Sequence, residues 1–306
     1  MQYRKTSPHH LVPGTILIRR FLIERVLAEG GFGIIYFARD LELELTVAIK
    51  EYYPIGFANR NTTYSEEVVS SNNDAEAIFE KGKESFLEEA RVLARFSEEP
   101  GIVYVRDRFT ENNTAYIVME YLNGITLKAW LKQNGVMSFG QVLDFIRPII
   151  TVLSKLHKTG YIHRDVSPDN IMVLRDNRTK LLDFGAAKET LTGKSLTIMV
   201  KHGYAPEEQY RTKGEQGPWT DIYALCATIY RCITGITPDQ AIERMHQDKL
   251  ERPSLLGIKI GLEQEAALMK GMSIYQKDRF QTIEELEQKL YECAPIVIDL
   301  KPAGDL

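Results

Sequence analysis

The clearest pointer to fold and chemistry is the stretch His163-Arg164-Asp165-Val166-Ser167-Pro168-Asp169-Asn170. The Asp165 carboxylate can accept a proton from a hydroxyl group, and the amide oxygen of Asn170, five residues later, can bind a metal ion. Thirteen residues further on, Asp183-Phe184-Gly185 offers a second metal-binding carboxylate and a turn that glycine permits. These residues together predict a site that holds Mg²⁺ against the phosphates of a nucleotide.

Two upstream motifs are compatible with the same site. Gly30-Gly31-Phe32-Gly33 lies between two predicted strands, where glycines let a hairpin backbone approach phosphate oxygens closely. Lys50 ends the segment Val47-Ala48-Ile49-Lys50, and its ammonium group can pair with phosphates. Alone, a glycine cluster is more often a tight turn, and a lysine at a strand end is usually solvated. The occurrence of all four motifs in this order makes coincidence very unlikely.

The first third of the chain predicts a small, strand-rich lobe. Segments rich in β-branched and aromatic residues predict antiparallel strands at 21–27, 34–39, 46–50, 103–110 and 115–120. One helix is predicted among them, starting at Asn73 or Asp74 and ending at about Phe96. Its apolar face consists of Ala75, Phe79, Phe86, Ala90 and Leu93.

Beyond residue 122 the pattern becomes helical. A Ser138-x-x-Gln141 capping box predicts the start of a buried helix, and Gly160 predicts its end. The apolar residues of this helix recur at helical spacing at Val142, Ile146, Ile149, Leu153 and Leu156. Further helices are predicted at 219–234, at 262–272, and from a Thr282-x-x-Glu285 capping box to about Cys293. We therefore expect an α+β fold of two lobes, with ligands bound where the lobes meet.

As a set, the motifs resemble the signature of the protein kinase family: Ala28-x-Gly30-x-x-Gly33-x-Ile35, Val47-Ala48-Ile49-Lys50, the 163–170 loop and Asp183-Phe184-Gly185. The resemblance extends from about Leu17 to Cys293, and the segment 220–225 is similar to bacterial, eukaryotic-like (Hanks-type) Ser/Thr kinases. It implies a bilobal kinase fold with a small five-stranded antiparallel lobe, one main helix there, and a larger helical lobe. The expected divisions are an N-terminal extension at 1–16, the small lobe at 17–121, the large lobe at 122–293 and a tail at 294–306.

The resemblance implies catalytic roles for individual residues. Lys50 would hold the α- and β-phosphates of ATP, oriented by Glu89 on the small-lobe helix. Glu88 is the close alternative, but Phe86-x-x-Glu89-Ala90-x-x-Leu93 matches the family's helix pattern better. Asp165 would orient or deprotonate the acceptor hydroxyl group.

The resemblance also implies a nucleotide and metal site. Asn170 and Asp183 would hold Mg²⁺ or Mn²⁺. Met119 would be the gatekeeper, and Glu120-Tyr121-Leu122 the hinge whose backbone meets adenine. The other nucleotide contacts would be Leu27, Gly30, Gly31, Phe32, Gly33, Ile35, Ala48 and Met172.

Three more residues match structural positions of the family. Asp221 resembles the buried Asp that anchors the catalytic loop. Arg279 resembles the Arg that pairs with the Glu closing the activation segment, which is Glu208 here. Removing one partner of such a buried pair would cost roughly 3–5 kcal/mol.

The chain departs from the family pattern at three positions. Ala28 replaces the first glycine of the loop, which should leave ATP binding intact. Ser167 stands where Ser/Thr kinases usually carry a Lys that contacts the transferring phosphate. Lys201 stands where the family usually has a Thr near the catalytic Asp. We hypothesise that Lys201 reaches Asp165 and the γ-phosphate while Ser167 takes the hydrogen-bonding role of the Thr, against the alternative of an exposed loop lysine.

Two loops suggest regulation. The segment 183–208 carries hydroxyl residues, and a phosphate there could pair with Arg164. The candidate phosphorylation sites are Thr190, Thr192, Ser195 and Thr197. Self-modification would involve a transient homodimer. The segment 51–73 is a long connection, which we interpret as a tolerated insertion in preference to a partner-binding loop.

Composition narrows the class of protein. A net charge of -4 and a pI near 6.0 give no bulk attraction to nucleic acid or anionic membranes. Three cysteines without paired spacing favour a reducing setting, and no segment has the length of a signal peptide or membrane span. We therefore expect a cytoplasmic chain whose partners are ATP and protein substrates, with no nucleic acid and no membrane segment.

Other functions remain open at this point. A pseudokinase would bind nucleotide as a scaffold without turnover, and Ser167 is the best support for that hypothesis. A small-molecule kinase of related fold would not be expected to carry the peptide-positioning segment around Gly203-Tyr204 and Glu208. Tyr specificity is disfavoured because the catalytic loop lacks the Ala-Arg features of tyrosine kinases.

Overall fold

Six strands form one antiparallel sheet in the computed structural model, which describes residues 7–96, 98–182, 201–211 and 214–292. These strands are β1 (Ile16–Leu17), β2 (Phe21–Gly30), β3 (Gly33–Asp40), β4 (Leu45–Tyr52), β7 (Val105–Glu111) and β8 (Thr114–Glu120), and the insertion adds a hairpin of β5 (Ala58–Asn59) and β6 (Val69–Ser70). The order in the sheet is β1-β2-β3-β4-β8-β7. The five predicted strands are all present. The sixth, β1, has two residues and therefore shows no periodicity in the sequence.

Helix α1 (Asn73–Ala94) packs on this sheet. The Asn72 side chain caps its start by accepting a hydrogen bond from the backbone N–H of Ala75 at 2.8 Å. All five residues of the predicted apolar face are buried. The helix is therefore held by the face that its sequence periodicity predicts.

The two faces of the sheet are covered by different parts of the chain. Side chains alternate along β4, so Lys50 and Tyr52 point to one face and Glu51 to the other. On the first face, Tyr52 contacts the α1 rings of Phe79 and Phe86, with centroid distances of 5.2 and 5.6 Å. On the second, residues 7–16 and the insertion form the cover. The sheet is therefore covered on both faces around Tyr52 and Glu51.

The large lobe consists mainly of helices. Its elements are β9 (Gly124–Thr126), α2 (Leu127–Asn134), α3 (Phe139–Lys158), β10 (Ile171–Leu174), β11 (Thr179–Leu181), α4 (Pro218–Thr234), α5 (Ala241–His246), α6 (Leu262–Gly271) and α7 (Ile283–Tyr291). The short strands pair in the order β11-β10-β9, and the loop containing residues 163–170 lies between α3 and β10.

The predicted helix boundaries agree with the capping interactions. Ser138 and Gln141 form the predicted capping box of α3, and Thr282 and Glu285 form that of α7. Every residue of the predicted apolar stripe of α3 is buried, and Gly160 follows the helix with a φ of 81°. No helix in the described ranges is long and apolar enough to cross a membrane.

Candidate active site

The catalytic loop is anchored by a buried carboxylate on α4. Asp221 is 0% exposed and accepts hydrogen bonds from the backbone N–H groups of His163 and Arg164, at 2.8 and 2.7 Å. The Nε2 atom of His157 lies 2.8 Å from the same carboxylate. Arg164 has a φ of 68°, a left-handed conformation that costs a non-glycine residue energy and that these hydrogen bonds help to maintain.

The ionisation of Asp221 follows from these contacts. Burial opposes the charged form, but the hydrogen bonds from His157 and His163 outweigh it, and the pKa of Asp221 is lowered from its ordinary value of 3.8. The anchor is therefore a carboxylate at neutral pH. As a charged acceptor, it binds the two backbone N–H groups of the loop more strongly than a neutral group would.

The side-chain amide of Asn170 is oriented by the backbone of Asp165. Its Nδ2 donates to the backbone carbonyl of Asp165 at 2.9 Å, which leaves the amide oxygen as the end able to accept a cation. The Leu182 N–H donates to the Asn170 carbonyl at 2.8 Å, and His163 Nε2 bonds the Leu182 carbonyl at 2.9 Å. Asp183, the second predicted metal ligand, lies outside the described residues.

Lys50 meets Glu89 across the interface between β4 and α1. The Nζ atom of Lys50 lies 3.6 Å from Glu89 Oε1, and the Glu89 side chain is 1% exposed. Phe86, one turn earlier on α1, places its ring 5.4 Å from the same Nζ atom. Glu88, the alternative, faces solvent and pairs with Arg91 at 3.2 Å. The structure therefore brings Glu89, and not Glu88, to Lys50.

The glycine-rich hairpin joins β2 to β3, with Gly30 paired to Gly33. A Cβ atom on Gly33 would lie only 2.4 Å from the Glu51 carbonyl oxygen, so no larger residue is accommodated there. The carbonyls of Gly31 and Phe32, at the tip, accept hydrogen bonds from Ile55 and Tyr53 N–H groups at 3.0 and 3.1 Å. Ala28 pairs with Ile35 inside β2, an extended position that tolerates its methyl group. The hairpin tip is therefore bonded to the start of the insertion.

A buried ionic cluster holds this insertion on the outer face of the sheet. Arg60 donates to the two carboxylate oxygens of Glu51 at 2.5 and 2.8 Å. The hydroxyl groups of Tyr36 and Tyr116 each donate to Glu51 at 2.8 Å. Burial, followed by the charge of Glu51, raises the pKa of both tyrosines, so both hydroxyls stay protonated and act as donors. The insertion is thus an integral part of the small lobe.

The N-terminal segment approaches the same hairpin. His9 Nε2 and His10 Nε2 lie 2.6 and 3.1 Å from the two carboxylate oxygens of Glu29, the residue before Gly30. The Ser7 N–H donates to His10 Nδ1, so His10 Nε2 carries the proton and donates to Glu29. These residues tie the segment before β1 to the end of β2.

The predicted adenine-contacting residues lie along adjoining strands. Ala48 of β4 is directly opposite Met119 of β8, and Ile35 of β3 is opposite Lys50, on the face that carries Lys50. Met172 pairs with Thr126 in the sheet of the large lobe. The remaining predicted contacts, Leu27, Gly31, Phe32 and Leu122, are partly exposed. The Glu120 side chain pairs with Lys180 and accepts from the Tyr104 N–H, while its own N–H is bonded to the Tyr104 carbonyl.

Lys201 lies at the catalytic loop. Its Nζ atom is 2.8 Å from Asp169 Oδ2, and Lys128 Nζ is 3.1 Å from Asp169 Oδ1. The described ion pair of Lys201 is thus with the neighbour of Asn170, and the predicted contact with Asp165 remains a prediction. The Ser167 hydroxyl is buried and has no hydrogen-bond partner among the residues described.

The predicted pair of Arg279 and Glu208 is present in the large lobe. Arg279 donates to both carboxylate oxygens of Glu208, at 2.8 and 3.1 Å, and each side chain is at most 2% exposed. The Thr220 hydroxyl also donates to Glu208, at 2.9 Å. Arg164 bonds Gln216 and Gln209 on the same side of the lobe. The four candidate phosphorylation sites in 183–200 lie outside the described residues.

Sequence reasoning missed Glu51, Arg60 and Lys128. Glu51 and Arg60 are 9 positions apart in the chain, without the 3- or 4-residue spacing that marks a pair on a helix. Lys128 is one of many lysines in the sequence, and only the packing of α2 on the Pro168 carbonyl brings it to the loop. No sequence pattern indicated these contacts.

Comparison with known proteins shows the same architecture. The model of the protein kinase domain matches residues 21–290. Among solved structures, PpkA-294 in its apo form is 36% identical, with a TM-score of 0.83, covering 92% of this chain and 99% of that one. Rad53 1–466 in complex with AMP-PNP is 20% identical, with a TM-score of 0.68 over 89% of this chain and 65% of that one, which shows the fold alone.

The curated relatives are also described as protein kinases. A probable serine/threonine-protein kinase of Clostridium acetobutylicum is 31% identical over 287 residues, covering 90% of this chain and 40% of that protein. Serine/threonine-protein kinase PknE of Mycobacterium tuberculosis is 28% identical over 275 residues, covering 87% of this chain and 44% of PknE. The chain thus spans less than half the length of these relatives.

Proposed function

The chain belongs to the protein kinase family, and from this premise we propose that it transfers the γ-phosphoryl group of ATP to Ser and Thr hydroxyls of proteins. The observation that carries the proposal is the ion pair between Lys50 and Glu89, at 3.6 Å. Phosphoryl transfer by this fold requires such a pair between β4 and α1 to be in place. The ring of Phe86 and the burial of Glu89 hold the pair in position.

In the proposed reaction, the acceptor hydroxyl oxygen bonds to the γ-phosphorus while the bond from that phosphorus to the bridging oxygen breaks, and ADP leaves. Asp165 takes the proton of the hydroxyl group. Lys50 holds the α- and β-phosphates, and the amides of the glycine-rich hairpin face the phosphate oxygens. Asp221 acts on the reaction only through the backbone of the loop, as a positioning residue.

Asn170 and Asp183 would hold Mg²⁺ or Mn²⁺. The orientation of the Asn170 amide supports this, because its N–H group is used by Asp165 and its oxygen remains the cation-binding end. A bound cation would neutralise charge on the phosphates. Adenine would lie between Ile35 and Ala48 on one side and Met172 on the other, with Met119 and the backbone of 120–122 at its edge.

We further propose that Lys201 supplies the positive charge that Ser167 cannot. Its ion pair with Asp169 brings the ammonium group to the same loop as Asp165. The Ser167 hydroxyl is buried and has no partner among the described residues, so it is available to form the hydrogen bond that a Thr forms in other members of the family. In Lys201→Met and Lys201→Ala, kcat should fall at least about tenfold, or about 1.4 kcal/mol. A kcat within about threefold of wild type for both would eliminate this role.

We also propose self-phosphorylation within the segment 183–208, through a transient homodimer. Mass mapping after incubation with ATP should find phosphate on Thr190, Thr192, Ser195 or Thr197. The label should be lost in Asp165→Asn. An unmodified segment in active protein would contradict the proposal.

The main experiment separates the proposed function from its alternatives. Purified protein is incubated with radiolabelled ATP and a generic acceptor protein, beside Asp165→Asn and the exposed control Asp176→Asn. Label in protein with wild type and Asp176→Asn supports the kinase. Tight ATP binding without transfer would support the pseudokinase that Ser167 suggests, and label only in small molecules would support a metabolite kinase.

A further inference from the structure

Two lysines from other segments pair with one carboxylate of the catalytic loop, four residues after the proposed proton acceptor Asp165. Asp169 is paired with both Lys128 and Lys201, so the three side chains together carry a net charge of +1. They are 34%, 70% and 29% exposed, respectively, so a substrate can reach them. We name these three residues the lysine cluster.

Both lysines are held in place by backbone contacts. The Lys128 N–H donates to the Pro168 carbonyl at 2.9 Å, which fixes the first turn of α2 on the catalytic loop. The Lys201 carbonyl accepts from the N–H groups of Tyr204 and Ala205, both at 3.0 Å. These hydrogen bonds fix the backbone of each lysine beside the loop, and the ion pairs with Asp169 hold the ammonium groups there.

Both oxygens of the Asp169 carboxylate already have a cationic partner, Oδ1 in Lys128 at 3.1 Å and Oδ2 in Lys201 at 2.8 Å. A basic residue of a substrate would have to displace a lysine to reach this carboxylate.

We infer that the lysine cluster selects protein substrates with an acidic side chain close to the acceptor Ser or Thr. In the proposed reaction Asp165 binds the acceptor hydroxyl, and Asp169 follows four residues later in the same loop. The inferred arrangement places residues that flank the acceptor beside the cluster. A carboxylate there gains attraction chiefly from Lys128, because Lys201 is also assigned to the γ-phosphate, while a lysine is repelled. This inference rests on the proposed function and specifies its substrate class.

The test uses synthetic peptides that differ only in one residue beside the acceptor, which is Glu, Gln or Lys. We expect kcat/KM to decrease in that order, by about threefold to tenfold between Glu and Lys, because exposed charges interact weakly. The preference should shrink when the salt concentration is raised. A preference for Lys, or equal kcat/KM for all peptides at every flanking position, would overturn the inference.

Lys128→Gln removes one charge of the cluster without touching the proposed reacting groups, and the preference for Glu should fall by at least half. Lys132→Gln is the matched control, because it removes an exposed lysine one turn further along α2 and should retain the full preference. An undiminished preference in Lys128→Gln would also refute the inference. Circular dichroism spectra of both variants check that they fold alike.

A generic acceptor protein in the same assay separates failure of the substrate inference from failure of the proposed function. If wild type labels that protein but shows no charge preference among peptides, the substrate inference fails and the kinase remains. If wild type labels neither protein nor peptide, the proposed function fails. Binding of fluorescent Glu and Lys peptides to Asp165→Asn gives a readout independent of turnover, and there too the Glu peptide should bind more tightly.

Discussion

Arg60 donates hydrogen bonds to both carboxylate oxygens of Glu51, the residue that follows Lys50 in β4. Because side chains alternate along a strand, Lys50 faces α1 while Glu51 faces the insertion. One strand therefore carries the phosphate-binding lysine on one face and the attachment of the insertion on the other. The insertion in turn bonds the tip of the glycine-rich hairpin through Tyr53 and Ile55.

Arg60→Met should destabilise the protein strongly, because it leaves the charge of Glu51 buried with two tyrosine hydroxyls as its remaining donors among the described residues. We expect a loss of about 3 to 5 kcal/mol in the free energy of unfolding, measured by urea denaturation. Arg178→Met is the control, since it breaks an exposed pair with Asp176 and should leave stability essentially unchanged. Equal stability of the two variants would show that the buried cluster contributes nothing.

The double variant Arg60→Met with Glu51→Gln tests the electrostatic part of the same cluster. Removing both charges should recover part of the stability lost in Arg60→Met, because no uncompensated charge then remains. In both variants the affinity for nucleotide should be lower than in wild type, since the insertion has lost its ionic attachment. Recovery of full ATP affinity in the double variant would exclude a role of the insertion in holding the hairpin.

Glu89→Gln should lower kcat/KM by at least about tenfold, or about 1.4 kcal/mol, because the Lys50 ammonium group loses its charged partner. Glu88→Gln removes the adjacent carboxylate, which faces solvent, and should behave like wild type. Steady-state kinetics with varied ATP gives both parameters. A larger loss in Glu88→Gln than in Glu89→Gln would reverse the assignment.

A double-mutant cycle of Arg279→Met and Glu208→Gln should show strong coupling. Each single variant leaves a buried group without its charged partner, so each should lose roughly 3 to 5 kcal/mol of stability. The double variant should lose much less than the sum of the two. Additive losses would mean that the two residues do not interact with each other and contribute to stability only through their separate packing.

The lowered pKa of Asp221 has a defined consequence for stability. A carboxyl whose pKa is lower in the folded state stabilises the fold above its unfolded pKa, and this contribution disappears as pH falls through the folded pKa. The stability difference between wild type and Asp221→Asn should therefore be constant from about pH 7 to pH 5 and decrease only below the ordinary value of 3.8. A difference that already narrows above pH 5 would show that the carboxyl is not held ionised.

Local patterns in the sequence predicted the elements that depend on local interactions. The capping boxes at Ser138 and Thr282 and the apolar face of α1 are confirmed because cap hydrogen bonds and helical periodicity span only a few residues. Glu89 was preferred over Glu88 for the same reason, since one position along a helix turns a side chain by about 100°.

Contacts between distant segments were not predictable in this way. Arg60 lies in a polar stretch that looks like an exposed loop, yet its side chain is buried because Glu51 is already inside the sheet. Lys128 and Lys201 converge on Asp169 from opposite directions in the chain, and only their tertiary positions reveal the shared carboxylate. Such residues belong to no sequence motif and to no periodic pattern of apolar residues.

The cover of the outer sheet face also determines how much of the chain makes up the folded unit. The family match begins at residue 21, but Leu11 and Leu17 are each 1% exposed and belong to the core of the small lobe. A fragment trimmed to the family match would uncover part of the Tyr36 side of the sheet. It would also lose the hydrogen bond that the Leu11 N–H donates to the Tyr36 hydroxyl. Fragments of this protein made for crystallisation or assays should therefore start upstream of residue 7, because the packed core of the small lobe extends beyond the family match.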